Sequence, residues 1–183
     1  PPEPAPAGPG LPVDWAPVVL DRPSPSIAGW FDQMPRGVIL HGSRSGQRWS
    51  AMDEFRATVN WAQNASHGLG WHATIGPLVL AVHINPNRWG WNARGASRRW
   101  LAVEFAQATV QDGIDDEQVA TFCWWFAHVA RRYWPELPTV FPTHAELPEG
   151  VADGKTDVFP RGDPRADDRR ARIMARLRAI GGA

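Results

Sequence analysis

The sequence predicts an α/β fold: a single domain with a central mixed β-sheet flanked by α-helices. Three observations lead there. Short apolar runs suited to buried strands recur from Gly37 to Phe105, segments of helical periodicity lie between and after them, and no internal repeat divides the chain. At 183 residues the chain falls in the usual range for one domain and can bury a substantial core.

The elements follow in order. Nine of the 18 prolines lie between Pro1 and Pro25, so residues 1–26 are expected to form a proline-rich arm and residues 27–183 the folded body. Gly37-Val38-Ile39-Leu40 reads as a buried strand that delivers His41 at its C-terminal end, and Gly42-Ser43 turns the chain. Ser50 is placed to cap a helix whose apolar stripe is Met52, Phe55, Val59 and Ala62. Trp71 to Ile75 and Leu78 to Ile84 flank Gly76-Pro77 as a hairpin, and Trp100 to Phe105 reads as another strand. Between these lies an irregular loop, Asn85 to Arg99. Asp115 with Gln118 has the pattern of a capping box, and Val119, Phe122, Cys123, Phe126, Ala130 and Tyr133 continue a helix toward Pro135. Val140 to Thr143 is short and extended and ends at His144. Asp163-Pro164 opens a last helix through Ile173, Leu177 and Ile180.

Composition removes several function classes. The formal net charge is zero, which gives no electrostatic footprint for nucleic acid, and no apolar run approaches the roughly 20 residues of a transmembrane segment. Cys123 is the lone cysteine, so an internal disulfide is excluded.

The chemistry concentrates in a few positions. Two histidines, His41 and His144, stand at strand ends, and with Asp157 they supply three ligand types that a catalytic zinc takes, leaving a fourth position for water. Lys155 is the only lysine among 19 basic residues, two positions before Asp157. A compact ammonium can approach a developing anion in a way a planar guanidinium cannot. Glu104 is a carboxylate inside an otherwise apolar strand, where burial would raise its pKa toward the range useful to a general base. An ion pair with Arg99 or Arg94 is the structural alternative.

Taken in order, Val38-Ile39-Leu40-His41, Gly70-Trp71-His72, Leu101-Ala102-Val103-Glu104-Phe105, Thr143-His144-Ala145-Glu146 and Lys155-Thr156-Asp157 resemble the zinc-dependent N-acetylmuramoyl-L-alanine amidases of type 2. That family includes phage endolysins and peptidoglycan recognition proteins. The resemblance spans roughly Gly37 to Pro160. It implies that His41, His144 and Asp157 hold Zn2+, that Glu104 is the catalytic carboxylate, and that Lys155 stands beside the metal. It implies hydrolysis of the amide joining the lactyl group of N-acetylmuramic acid to L-Ala, with bacterial peptidoglycan as the partner and a phage-type lytic enzyme as the expected setting. Two rival readings are a non-catalytic peptidoglycan-binding module of the same fold and a bacterial amidase of wall remodelling or recycling. One position departs from the pattern: many relatives carry tyrosine where this chain has Trp71.

Further expectations concern substrate contacts. Trp71 and His72 are expected near the cleft, and Trp89, Trp91, Asn92 and Arg94 in the irregular loop are candidates to stack on sugars or bind the stem peptide. The last helix is expected to carry Arg161, Arg165, Arg169, Arg170, Arg172, Arg176 and Arg178 against Asp163, Asp167 and Asp168, and this excess of arginine beside Ile173, Met174 and Leu177 could hold an anionic envelope surface.

Overall fold

Strand pairing between distant segments organises this chain. The computed structural model describes residues 11–12 and 14–181. Strands β1 (Val18–Asp21), β3 (Val38–Gly42), β4 (Ala73–Gly76), β5 (Val79–Val82) and β7 (Leu101–Phe105) form a five-stranded mixed sheet in the order β1-β5-β4-β7-β3, while β2 (Gly29–Trp30) pairs with β6 (Arg88–Trp89). Only the β4–β5 neighbours within the large sheet are antiparallel; β1–β5, β4–β7 and β7–β3 run parallel. The β4–β5 hairpin turns through Gly76-Pro77-Leu78, as the sequence predicts, and Leu78 adopts a positive φ of 57° there.

Alternation along each strand sorts the side chains by face. Val38, Leu40, Leu101, Val103, Phe105, Ile75 and Leu80 point to the larger core, and Ile39 and Ala102 point to the opposite face with Trp71 and Ala96. The larger core is closed by α2 (Asp116–Trp125) and α5 (Pro164–Ala179), which supply Phe122, Trp125, Ile173 and Leu177, all fully buried. Each such side chain contributes roughly 1.5–3 kcal/mol by leaving water. The opposite face is covered in part by α1 (Ala51–Ala62), through Phe55 and Val59.

The helix boundaries obey their caps. Ser50 accepts from the Asp53 amide at the start of α1, and Asp115 and Gln118 form the reciprocal capping box of α2. Beyond α2 the chain widens into a π-helical turn, Phe126–Ala130, before a last turn α3 (Arg131–Tyr133) ahead of Pro135. Asp163 caps α5, with Pro164 in its first turn.

The structure corrects the sequence reading in four places. The arm expected over residues 1–26 contains β1, an edge strand parallel to β5; residues 1–10 and 13 lie outside the described residues. Val18-Val19-Leu20 is a short aliphatic run with two β-branched residues, and prolines flank edge strands without breaking a ladder. The loop from Asn85 to Arg99 contains β6 and a 3-10 turn, Arg94–Arg98. A short helix, α4 (Pro148–Ala152), was not anticipated. The apolar stripe of α5 is not free for an envelope surface, because Ile173 and Leu177 are in the core and Met174 packs against it. Several of its arginines are also paired with carboxylates: Arg165 with Asp163, Arg170 with Glu146 and Asp167, and Arg172 with Asp116 and Asp168. Among the described residues no helix is long and apolar enough to cross a membrane.

Two buried histidines join the sheet to its loops. His72 accepts from the Ala102 amide at Nδ1 (3.0 Å) and reaches the Arg88 carbonyl from Nε2 (2.9 Å). His83 lies 2.6 Å from the Arg22 carbonyl through Nδ1 and 2.8 Å from the Thr74 hydroxyl through Nε2. Burial pushes both imidazoles down to about 4. A folded-state pKa below the unfolded value of about 6.5 means that the unfolded chain takes up protons first as the pH falls. Stability held above that pH is therefore lost between about 6.5 and 4, by roughly 3 kcal/mol per histidine at most. Urea midpoints measured from pH 7 down to pH 4 should fall through this window. In His83→Gln, neutral throughout, the pH 7 midpoint should be lower but the decline flatter.

Candidate metal centre and its cleft

The C-terminal ends of β3 and β7 lie side by side, with His41 opposite Glu104 in register. Equal register in parallel strands puts both side chains on the same face. The third component arrives on the other side of β3. The Val38 and Leu40 amides donate to the carbonyls of Val140 and Pro142, at 3.0 and 2.9 Å, and this extended segment leads directly into His144. Close approach requires glycine at Gly37, where φ is +143° and a Cβ would stand 2.2 Å from the Val140 carbonyl oxygen. Gly150 does the same for α4, since a Cβ there would meet the His144 carbonyl oxygen at 1.8 Å.

His41, His144 and Asp157 converge on one point. Their ligand atoms all lie within 4.8 Å of one another, and the two rings meet edge to face with centroids 4.6 Å apart. Nδ1 of His41 is 3.1 Å, and Nδ1 of His144 3.4 Å, from the same Oδ2 of Asp157. Tetrahedral zinc with bonds of about 2.0–2.1 Å holds its ligand atoms roughly 3.3 Å apart, so the donor set fits that ion in type, and the two separations from Asp157 Oδ2 match its spacing. Nε2 of His41 is buried with no hydrogen-bond partner.

The charge states suit a cation site. Burial lowers the His41 pKa, and the hydrogen bond and charge of Asp157 oppose this without reversing it. Burial thus favours the neutral ring, the form that offers a lone pair. Burial alone would raise Asp157, but the hydrogen bonds with His144 and His41, with the attraction of either ring when protonated, hold its carboxyl well below the usual range. Glu104 differs. Burial, then the nearby Asp157 charge, raises its pKa well above the ordinary carboxylate value, while Lys155 opposes the rise. Its Oε2 is buried and unpartnered. Arg99 pairs instead with Glu149 and Arg94 with Asp153, which removes the ion-pair alternative for Glu104.

These groups open on one cleft of about 210 Å³, lined by His41, Glu104, His144, Asp157, the exposed Lys155, Trp71 and Asn92. Trp71 is held rigidly: its indole N–H donates to Thr74, whose hydroxyl meets His83. The Asn92 amide nitrogen donates to the carbonyls of Gly70 and Gly90, while Oδ1 has no partner. Other expected contacts are elsewhere. His72 is fully buried, held by its two backbone hydrogen bonds, and does not line the cleft. Trp89 belongs to the core, Trp91 packs edge to face on it at 4.9 Å, and neither lines this cleft. Arg94 is spent on Asp153.

Sequence reasoning missed Ser43, Arg44, Trp61 and Leu69, which complete the cleft wall. Trp61 is 42% exposed on α1 and tilts toward Trp71 at 6.0 Å; an exposed tryptophan on a helix that otherwise follows its stripe is the signal that could have found it. Arg44 has a positive φ of 55°. Its side chain donates to Gln107 and to the carbonyls of Thr156 and Val158, the two residues flanking Asp157.

No family model matches this sequence, and no curated protein matches it. Solved structures do. A selenomethionine derivative of AmpD is 16% identical with a TM-score of 0.60, covering 91% of this chain and 98% of that one. The Staphylococcus aureus hydrolase AmiA, solved with its ligand, gives 14% identity and a TM-score of 0.61 over 92% of this chain and 88% of that one. A mutant endolysin from Bacillus subtilis gives 17% and 0.55, over 85% and 97%. The chain shares their fold.

Arg44 generates a test of how the Asp157 segment is held. Arg44→Lys keeps the charge but cannot bridge two carbonyls and an amide at once, so zinc affinity should weaken about 10–100-fold, the usual loss when a group orienting a ligand is removed. Competition with a chelating dye measures it. Unchanged affinity would show that Asp157 is positioned without Arg44.

Proposed function

We propose that this chain is a zinc amidase that cuts the bond between the lactyl group of N-acetylmuramic acid and L-Ala in peptidoglycan. One observation carries the reading: His41, His144 and Asp157 share a cleft with Glu104 and Lys155, the five residues that the sequence resemblance puts together. The common fold with a hydrolase and an endolysin supports it.

Zinc held by His41, His144 and Asp157 would supply an electrophile for the amide carbonyl and bring the ionisation of water near neutral pH. The remaining chemistry belongs to the side chains. Glu104, on the neighbouring strand, accepts the proton of the attacking water and returns it to the departing L-Ala amine; its raised pKa suits both steps. Lys155, at the mouth, faces negative charge gathering on the amide oxygen. A preorganised cation of this kind is worth a few kcal/mol in a transition state. Trp71 replaces the tyrosine of many relatives and serves as wall: its indole N–H is already committed to Thr74. Proton transfer then rests on Glu104. Trp71 and Asn92 are the substrate contacts retained from the sequence reading.

The purified chain should bind about one zinc. Alanine at His41, His144 or Asp157 should each remove most of it, and digestion of peptidoglycan should release stem peptides with free N-terminal L-Ala and intact glycan strands. Metal analysis and mass spectrometry of the digest decide the matter; full zinc occupancy in all three variants, or new reducing ends without free peptides, would overturn the assignment. A folded, zinc-loaded wild type that releases no peptide would instead indicate a binding module.

Glu104→Gln should keep zinc and fold but lose most turnover, because the amide cannot take the proton. Lys155→Arg should lower turnover tenfold or more, about 1.4 kcal/mol, at unchanged zinc content. Kinetics on soluble muropeptide with zinc measured in parallel provide the check, and wild-type turnover in the arginine variant would make Lys155 a surface charge.

A further inference from the structure

A second hollow lies against the ribbon formed by β2 and β6. Alternation sends Phe31 into the core and turns Trp30 to solvent, where it is 64% exposed. Across the ribbon its register partner, Arg88, lays a guanidinium over the indole at 4.2 Å and donates from Nε to the Gly29 carbonyl at 3.2 Å. The ring is thereby held in place while much of it stays open. A single exposed tryptophan would carry no meaning. What surrounds this one does.

Trp30 borders a cavity of about 370 Å³ lined also by Asp32, Gln33, Trp89, Arg98 and Arg99. Trp89 is nearly buried and adds apolar surface to the wall. Asp32, Gln33 and Arg98 are exposed, and none of these three side chains makes a hydrogen bond or ion pair with a described residue. Arg98 is held by rings instead, its guanidinium 5.0 Å from the Trp89 centroid and 5.9 Å from that of Trp91. Stacking engages the flat face of a guanidinium and leaves the N–H groups at its rim for an acceptor. Arg99 is paired with Glu149, so the uncommitted charges, Asp32 and Arg98, cancel. An open indole face beside a carboxylate, an amide and a guanidinium, with no net charge, suits a sugar. The C–H face of a pyranose ring packs on the indole, and its hydroxyls both donate to the carboxylate and accept from the guanidinium. A stem peptide, with its own carboxylates, would meet Asp32 as well as Arg98 and gain no net attraction.

We propose that this hollow is a binding site for a neutral oligosaccharide, which stacks on Trp30 and hydrogen-bonds to Asp32, Gln33 and Arg98. The choice of an N-acetylhexosamine chain rests on the amidase reading, whose substrate carries such a glycan. The site itself is separate, since none of its residues lines the metal cleft. A glycan strand is held there without being cut.

The full chain is titrated calorimetrically with the neutral N-acetylglucosamine tetramer and, separately, with a free stem pentapeptide, as wild type, Trp30→Ala and Arg98→Ala. Release of L-Ala from soluble muropeptide is followed for the wild type in parallel. Saturable binding of the tetramer is expected, weakened about tenfold or more in both variants, as for aromatic and arginine anchors of other interfaces. Both side chains are exposed, and if one variant fails to fold the other decides alone. The site is overturned if wild type does not bind the tetramer, if a folded variant binds it to within that factor of wild type, or if pentapeptide binding is what Trp30→Ala loses. Release of L-Ala by a wild type that ignores the tetramer would sink this inference and leave the amidase reading standing. Tetramer binding that depends on Trp30 and Arg98, with no release of L-Ala, would do the reverse.

Discussion

Everything in the cleft depends on the two neighbours of β3. On one side β7 pairs with it in parallel and sets Glu104 beside His41; on the other, residues 140–142 accept its amides and bring His144 alongside. Backbone hydrogen bonds thus fix three functional side chains before any of them touches another. Each such bond adds only about 1 kcal/mol net, but together they leave little freedom in where the imidazoles stand. The Asp157 segment is then drawn in from a loop, by Arg44 from the β3 side and by its own carbonyl, which accepts from Ala145 at 3.1 Å.

The same sheet explains why one strand can hold a carboxylate among apolar residues. Val103 and Phe105 face the core under α2, whereas Glu104 faces the cleft and shares its row with His41 on one strand and Thr74 on another. Thr74 belongs to a second buried chain of contacts, from the Trp71 indole through its hydroxyl to His83 and on to the Arg22 carbonyl. The cleft wall is therefore linked, through the interior, to the segment just past the edge strand β1. What reads in the sequence as an arm is mechanically part of the site.

The large elements were legible because apolar runs mark buried strands and helical periodicity marks the long helices. Short apolar runs located β3, β4, β5 and β7, and capping residues with helical periodicity located α1, α2 and α5. The elements that escaped are short or proline-flanked: β2 and β6 have two residues each, and β1 lies between Pro17 and Pro23. The metal-ligand candidates were legible from residue type and order, and the structure brings His41, His144, Asp157, Glu104 and Lys155 together. Arg44 and Trp61 were not legible, since nothing in a linear sequence shows that a loop arginine reaches residues more than 100 positions away. Trp89 was misjudged for a related reason. A tryptophan in a loop looks available, but burial is settled by what folds over it.

The near-exclusive use of arginine for positive charge has a consequence for how the protein can be handled. Guanidinium groups resist acylation at ordinary pH, so the chain offers amine-directed reagents a single side-chain target, Lys155, exposed at the mouth of the cleft. A fluorophore or crosslinker attached there would report from the mouth of the cleft, at one position and without engineering a cysteine, while Cys123 remains sealed in the core.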